Sequence, residues 1–208
     1  MKILLIQPPS TYHRETYPLG LAYIGAVLEK KGCLVKAIDG SARYSFLTID
    51  NIVEEVKSFS PDLIGVTLVI NLIKDGYILA ERLSRFNIPL IAGGPHAKLR
   101  PHEVLRHNFD IVVRGEGEKT IEDIIDYLHG NKKIEDVLGI SYRDKNNRIV
   151  DNPDRPLIEA LDSIPYPARH LFPISNYTKL KEDMADEYWT VLTSRGCPRE
   201  CIYCAAAQ

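Results

Sequence analysis

The chain has 208 residues, 45% of them hydrophobic, with 26 basic and 28 acidic side chains and a formal net charge of -2. That length fits one domain, or one domain and the beginning of another, and its apolar content can bury a core without disulfide staples. Near-neutral charge without a basic run argues against nucleic acid or an anionic membrane as partner; residues 63–70, the longest apolar stretch, are too short to span a bilayer, and residues 1–6 too short for a signal peptide.

Apolar runs then alternate with helical patterns, as expected of parallel strands joined by crossover helices. Residues 3–6 form the first strand. Residues 18–31 follow as a helix, with Pro18 at its start, Leu21, Ile24 and Leu28 on one face, and Gly32 as its stop signal. The second strand covers residues 34–38. Ile49, Ile52, Val53, Val56 and Phe59 recur at helical spacing, and Ser60-Pro61 ends that helix before a buried strand over residues 63–68. A helix over residues 73–85 leads to a strand over 88–92. A strand over 110–113 leads to a helix carrying Ile121, Ile124, Ile125 and Leu128, closed by Gly130. Five strands with intervening helices predict an α/β fold with a doubly wound, five-stranded parallel sheet in a domain over residues 1–135.

Residues 137–150 read as a short hairpin around Lys145-Asn146-Asn147, attached to the edge of that domain. Pro153, Pro156, Pro165, Pro167 and Pro173 disfavour helix and sheet, so residues 136–187 are expected to be hairpin and connector. Asp183, Asp186 and Glu187 read as a solvated helical face. Residues 189–193 are expected to form a strand that delivers Cys197 to its carboxyl end, within a third region over residues 188–208.

Open sheets of this kind bind ligands beyond the carboxyl ends of their strands. The loops there read Gln7-Pro8-Pro9-Ser10, Asp39-Gly40-Ser41, residues 67–71 from Thr67, Gly93-Gly94-Pro95-His96 and Arg114-Gly115-Glu116-Gly117-Glu118. All combine small or polar residues with turn formers, as a ligand-facing rim requires. Gly93-Gly94 removes two side chains where a flat ligand could approach the backbone, or else forms an ordinary tight turn. The Arg-Gly-Glu-Gly-Glu loop looks like a dinucleotide fingerprint, but Thr120 stands at the place of the third glycine, which argues against a nicotinamide site.

Cys197, Cys201 and Cys204 lie in the run Ser-Arg-Gly-Cys-Pro-Arg-Glu-Cys-Ile-Tyr-Cys. Soft thiolates at this spacing suit an iron-sulfur cluster or zinc, and three ligands leave one metal position open. A zinc site completed by Cys33 or a histidine is the alternative. Free thiols of this kind imply a reducing, cytoplasmic setting.

The cysteine run resembles the cluster-binding signature of the radical S-adenosylmethionine enzymes. The resemblance implies that Cys197, Cys201 and Cys204 hold a 4Fe-4S cluster whose open iron chelates S-adenosylmethionine, and that Tyr203 lies against the adenine. The flavodoxin-like pattern, the Gly93-to-His96 loop and the Arg114-to-Glu118 loop together resemble the cobalamin-binding domain that precedes this signature in many such enzymes. The rim residues then become cofactor contacts, from Gln7, Pro8, Pro9 and Asp39 through Thr67, Gly93, Gly94, Pro95 and His96 to Arg114, Gly115 and Glu116. Other cobalamin proteins carry an Asp-x-His-x-x-Gly motif after the first strand, whose histidine ligates cobalt. Neither Gln7-Pro8-Pro9-Ser10 nor His13 completes it, so the implied state is base-off cobalamin without a histidine on cobalt, with His96 the rival ligand. Methyl transfer is the implied reaction, with cyclisation or ring rearrangement in some relatives.

Gln208 stands four residues after Cys204, and a barrel-sized catalytic domain needs on the order of 200 further residues. On that reading the 208-residue chain binds cobalamin without catalysing, and its cysteine loop docks to a separate or missing barrel. The alternative is a non-catalytic corrinoid carrier whose cysteine loop docks a partner or binds zinc. A methylthio-transferring enzyme would need more cysteines in the first domain than Cys33.

Overall fold

A computed structural model describes residues 1–10, 16–43, 47–173, 177, 190–199, 201, 202 and 204. The expectations for His13, for the acidic cluster of Asp183, Asp186 and Glu187, for residue 189 and for Tyr203 lie outside the described residues.

The first half is a run of strand and helix pairs: β1 (Lys2–Gln7), α1 (Leu19–Lys30), β2 (Leu34–Asp39), α2 (Ile49–Phe59), β3 (Leu63–Thr67) and α3 (Ile73–Leu83). There follow β4 (Leu90–Gly93), the short helices α4 (Pro95–Leu99) and α5 (Pro101–Leu105), β5 (Ile111–Val113) and α6 (Gly117–Leu128). The hairpin strands β6 (Ile140–Arg143) and β7 (Ile149–Asp151) complete one sheet of order β2-β1-β3-β4-β5-β6-β7. β1 to β5 are parallel, and β6 and β7 extend the edge antiparallel, with Val112 opposite Ser141. The chain winds to one side of β1 and then to the other, which places a topological switch point at β1 and β3.

Alternation within the strands explains why both faces are covered. Ile3, Leu5, Val35, Leu63, Ile91 and Val113 join one buried cluster with Leu21, Leu28, Ile121 and Ile125 of α1 and α6. Leu4, Ile6, Ile64, Val66, Ala92 and Val112 join a second with Ile52, Val56, Leu79, Leu83 and Leu105 on the opposite face. Strands buried on both sides read as continuous apolar runs, which is why β1 and β3 stand out in the sequence. Thr48 and Asn51 form a capping box at the start of α2, and Ser60 caps its end in the left-handed region (φ 50°).

Two expected elements differ, and one segment without an expected element folds. The helix expected over residues 73–85 ends at Leu83 and tightens into a 3-10 turn, Ser84–Phe86. The fourth strand begins at Leu90, since Pro89 has no amide to donate to a ladder. Residues 95–105 fold into two helical turns because Pro95 and Pro101 each occupy a first-turn position, and Pro101 prevents one continuous helix.

The connector folds back on α1. Ala168 donates its amide to Ala22 O at 2.9 Å, and a Cβ on Gly25 would come within 2.5 Å of Leu171 Cδ1. Phe172 stacks on Tyr17 with ring centroids 6.0 Å apart, and Tyr177 meets Tyr17 edge-on. The strand expected over residues 189–193 is corrected: residues 190–193 form no strand. Among the described residues no neighbouring strand offers them a ladder, and the carbonyl of Thr190 is taken instead by side chains of Tyr17 and Arg169. Among the described residues, no helix is long and apolar enough to cross a membrane.

Candidate cofactor cleft and cysteine loop

A cavity of about 230 Å³ opens between α1 and α6 over the C-terminal halves of β1, β3, β4 and β5. Its floor is Leu5, Gly65, Val66 and Ile91, its walls are Leu21 and Ile24 of α1 and Ile121 of α6, and its rim holds Thr67, Gly93, Gly94 and Gly115. The lining is mostly apolar with few polar groups, as in ordinary sites for organic cofactors.

The glycines divide by function. Gly94 has φ +94°, and a Cβ there would stand 2.8 Å from both Leu68 O and Thr67 Oγ1, so backbone geometry alone requires glycine. A Cβ on Gly20, Gly93 or Gly115 would meet nothing within 4 Å. At those three positions packing within the protein does not demand glycine, and a side chain would fill the cleft instead. The cleft therefore leaves the strand ends open to close approach by part of a larger ligand.

Of the residues expected on the rim, Thr67, Gly93, Gly94 and Gly115 come together around this cleft. The others are engaged elsewhere. Gln7 is buried and donates from Nε2 to Asp39 Oδ1 at 2.9 Å and to Ser41 Oγ at 2.5 Å, while Tyr177 donates its hydroxyl to Asp39 Oδ2 at 2.8 Å. Such a buried polar network fixes the ends of β1 and β2. Pro9 packs under Gly40, whose Cβ would come within 2.7 Å of Pro9 N, and Pro8 lies beside Gly76 of α3. Pro95 opens α4.

His96 is buried and its Nε2 lies 3.2 Å from the hydroxyl of Tyr77, which donates to Glu103 Oε1 at 3.0 Å. Burial, followed by the hydrogen bond and charge of Glu103, pushes the Tyr77 hydroxyl far above its ordinary pKa and keeps it a donor. This arrangement engages the His96 ring on the α3 side of the sheet. Arg114 bonds the carbonyl of Asn152 and pairs with Asp154 at 2.9 Å, so it holds the connector.

Glu116 and Glu118 face the cysteine loop. Glu116 accepts from the amide of Ile158 at 2.6 Å and from Arg195 Nη1 at 3.3 Å, and Glu118, which also lines the cleft, accepts from Arg195 Nη2 at 2.6 Å. The Arg195 guanidinium carbon lies 5.4 Å from the centre of the Tyr23 ring. Burial alone would lower the pKa of Arg195; the hydrogen bonds and charges of Glu118 and then Glu116 outweigh it and raise the value. Cys197 is exposed, Cys201 and Cys204 are half-buried, all three are free thiols, and Cys204 donates its amide to Cys201 O at 2.9 Å. Among the described residues no three metal-ligating side chains are gathered into a site, so the fit to a cluster rests on the thiol donor set. Cys33 is buried under α1, and desolvation raises its pKa.

Sequence reasoning misses Gly20 and Gly65 in the cleft and the partners Tyr177 and Arg195, while Gly117 and Glu118 stand on a loop it expected at the rim. Gly65 carried a signal: a glycine inside an otherwise apolar strand marks a close approach. The pairing of Arg195 with residues far back in the chain had none.

Residues 10–125 match the family described as the B12 binding domain. Over its whole length the chain is 36% identical to an uncharacterised methyltransferase of Pyrococcus horikoshii, of which it covers 46%. Over 98% of its length it is 32% identical to the cytidylyl-2-hydroxyethylphosphonate methyltransferase of Streptomyces wedmorensis, covering 47% of that protein. It is 31% identical to an anaerobic magnesium-protoporphyrin IX monomethyl ester cyclase of Synechocystis, of which it covers 42%. The chain thus spans a little under half the length of these relatives. A solved structure of the cobalamin-dependent S-adenosylmethionine radical enzyme OxsB with aqua-cobalamin bound aligns over 80% of this chain and 24% of that chain, at 19% identity and a TM-score of 0.69, which establishes a shared fold.

Proposed function

Because the chain belongs to the B12-binding domain family, we propose that the cleft between α1 and α6 holds cobalamin in its base-off form, with no histidine on cobalt. The observation that carries this reading is the set of open glycines, Gly20, Gly93 and Gly115, at which a side chain would fill the cleft without touching the protein. The engagement of His96 by Tyr77 and Glu103 supports a cobalt without a histidine ligand.

Cys197, Cys201 and Cys204 would hold a 4Fe-4S cluster, with Tyr203 beside bound S-adenosylmethionine. Together with cobalamin, such a cluster supplies electron transfer and a methyl carrier to the reaction. In this reading the residues of the chain act by placement: α1 and α6 exclude water from the cleft, and Arg195 holds the approach to the cysteines. The activity is methyl transfer, supported by the two methyltransferase relatives; ring formation is the second reading, supported by the cyclase relative. Exposed apolar residues after the sheet, among them Tyr166 at 93% and Ile202 at 98%, are where we place the contact with a radical S-adenosylmethionine barrel. Free thiols at all four cysteines fit a cytoplasmic setting.

Anaerobic incubation with hydroxocobalamin, followed by gel filtration and an absorbance spectrum, tests the cleft. Retained corrinoid with the spectrum of a detached tail is expected from the wild-type chain, and none from Gly93→Leu at unchanged thermal stability. Absence of corrinoid from the wild-type protein overturns the assignment.

A further inference from the structure

Arg195 stands two residues before Cys197, yet its contacts lie on the α/β domain. Glu118 and Glu116 at the start of α6 take its two terminal nitrogens at 2.6 and 3.3 Å, and Tyr23 of α1 lies under the guanidinium. Five residues earlier, the carbonyl of Thr190 accepts from Arg169 Nη2 at 3.1 Å and from the hydroxyl of Tyr17 at 3.3 Å. The lead into the cysteine loop is thus tied to α1 and α6, the two helices that wall the cleft.

One group belongs to both places. Glu118 lines the cleft and holds Arg195, and its side chain is only 8% exposed. The little water its side chain still meets is assigned to the cleft side, because Glu118 lines the cleft. A ligand that fills the cleft removes this water, and a carboxylate left there without its arginine becomes much costlier. The same desolvation strengthens attraction between the paired charges. Occupancy therefore favours the seated arginine, and by reciprocity the seated arginine favours occupancy.

We infer that Arg195 is a positioning residue that couples the seating of the cysteine loop to filling of the cleft, through Glu118. The inference rests on the corrinoid reading of the cleft. In this role Arg195 acts through the carboxylates of Glu118 and Glu116.

Trypsin reads the clamp directly, because cleavage at the Arg195–Gly196 bond requires the arginine side chain to leave its carboxylates. The 208-residue chain, with Cys197, Cys201 and Cys204 changed to serine to prevent thiol attack on cobalt, is digested at limiting trypsin with and without hydroxocobalamin. Cleavage at Arg195 is measured by mass spectrometry relative to cleavage at the exposed Arg199. Glu118→Gln is expected to accelerate the relative cleavage about fivefold or more, the lower end of ordinary coupling. Hydroxocobalamin is expected to slow it in the parent chain and not in Glu118→Gln. Arg195→Lys, which keeps the charge and loses the fork, is expected to be cleaved faster at the same bond and to retain less corrinoid, which keeps the test open should Glu118→Gln fail to fold.

Equal relative cleavage in the parent and Glu118→Gln overturns the clamp. Retained corrinoid with cleavage that does not respond to it overturns the coupling alone. Failure of the parent to retain corrinoid, read from absorbance after gel filtration, overturns the cleft reading and the coupling together.

Discussion

Between Lys2 and Asp151 the large apolar side chains lie mainly on the two buried faces of one sheet, and the exceptions, such as Leu34 and Ile70, are scattered. After Asn152 the balance reverses: Leu157, Tyr166, Val191, Leu192 and Ile202 stand largely in solvent. The sheet holds itself together by apolar burial, whereas the C-terminal segment is held by polar anchors and by one apolar patch, Leu171, Phe172 and Tyr177 against α1 and Tyr17. Apolar burial is cooperative and specifies a fold, while isolated polar anchors specify a position at small cost in stability. The contrast separates a region with its own apolar core from one that exposes most of its large apolar side chains.

Breaking the first region should have the largest effect. Phe109 is fully buried in the cluster beneath α5, and Phe109→Ala should cost roughly 3–5 kcal/mol, read as a lower urea midpoint with an unchanged slope. A loss confined to the C-terminal segment would contradict the division between the regions. The next effect separates the two adjacent glycines of the cleft. Gly94→Ala should cost about 1–3 kcal/mol, from its positive φ and its contact with Leu68 O, whereas Gly93→Ala should leave the melting temperature nearly unchanged. Equal destabilisation by both changes would show that Gly93 also serves the turn.

Smaller still is the anchor between the regions. Tyr177 donates its hydroxyl to buried Asp39, and Tyr177→Phe should cost about 1 kcal/mol. Hydrogen exchange should quicken around Asp39 and in the connector while the amides of β3 and β4 stay protected. Faster exchange throughout the sheet would mean that the segment contributes to the cooperative core.

The same division decides what could be read from the sequence. Parallel strands buried on both faces leave apolar runs, so β1 to β5 and their order of succession were legible, and the turn formers of the hairpin marked β6 and β7. The short helices α4 and α5 were hidden because five residues are too few to show a helical period. The candidate site could be named from sequence where its features are local: Cys197, Cys201 and Cys204 lie within eight residues, and Gly93 and Gly94 are adjacent. Gln7, Asp39, Arg114 and His96 stand at strand ends or just beyond them, and their side chains answer to Tyr177, Asn152 and Tyr77, partners brought near only by the fold. The strand expected before Cys197 failed for a related reason, because local β propensity cannot supply a neighbour to pair with.

The smallest expected effect concerns pH and sits at the seam. Asp123 of α6 accepts from Lys132 at 2.5 Å and pairs with Arg155, the residue from which the C-terminal segment departs. Burial alone would raise the pKa of Asp123, but the bonds to Lys132 and Arg155 outweigh it and hold the carboxyl below its ordinary value. An acid depressed in the folded state contributes stability that is present above its unfolded value, near 3.9, and is lost as pH falls through the folded value. Stability of the wild-type chain should therefore drop below about pH 4 more steeply than that of Asp123→Asn, while at neutral pH the variant should be the less stable of the two. Parallel acid profiles for the two proteins would mean that the seam carries no charge-dependent stability. The segment would then rest on its other polar anchors, among them Arg114, Glu116, Tyr177, Arg169 and Arg195.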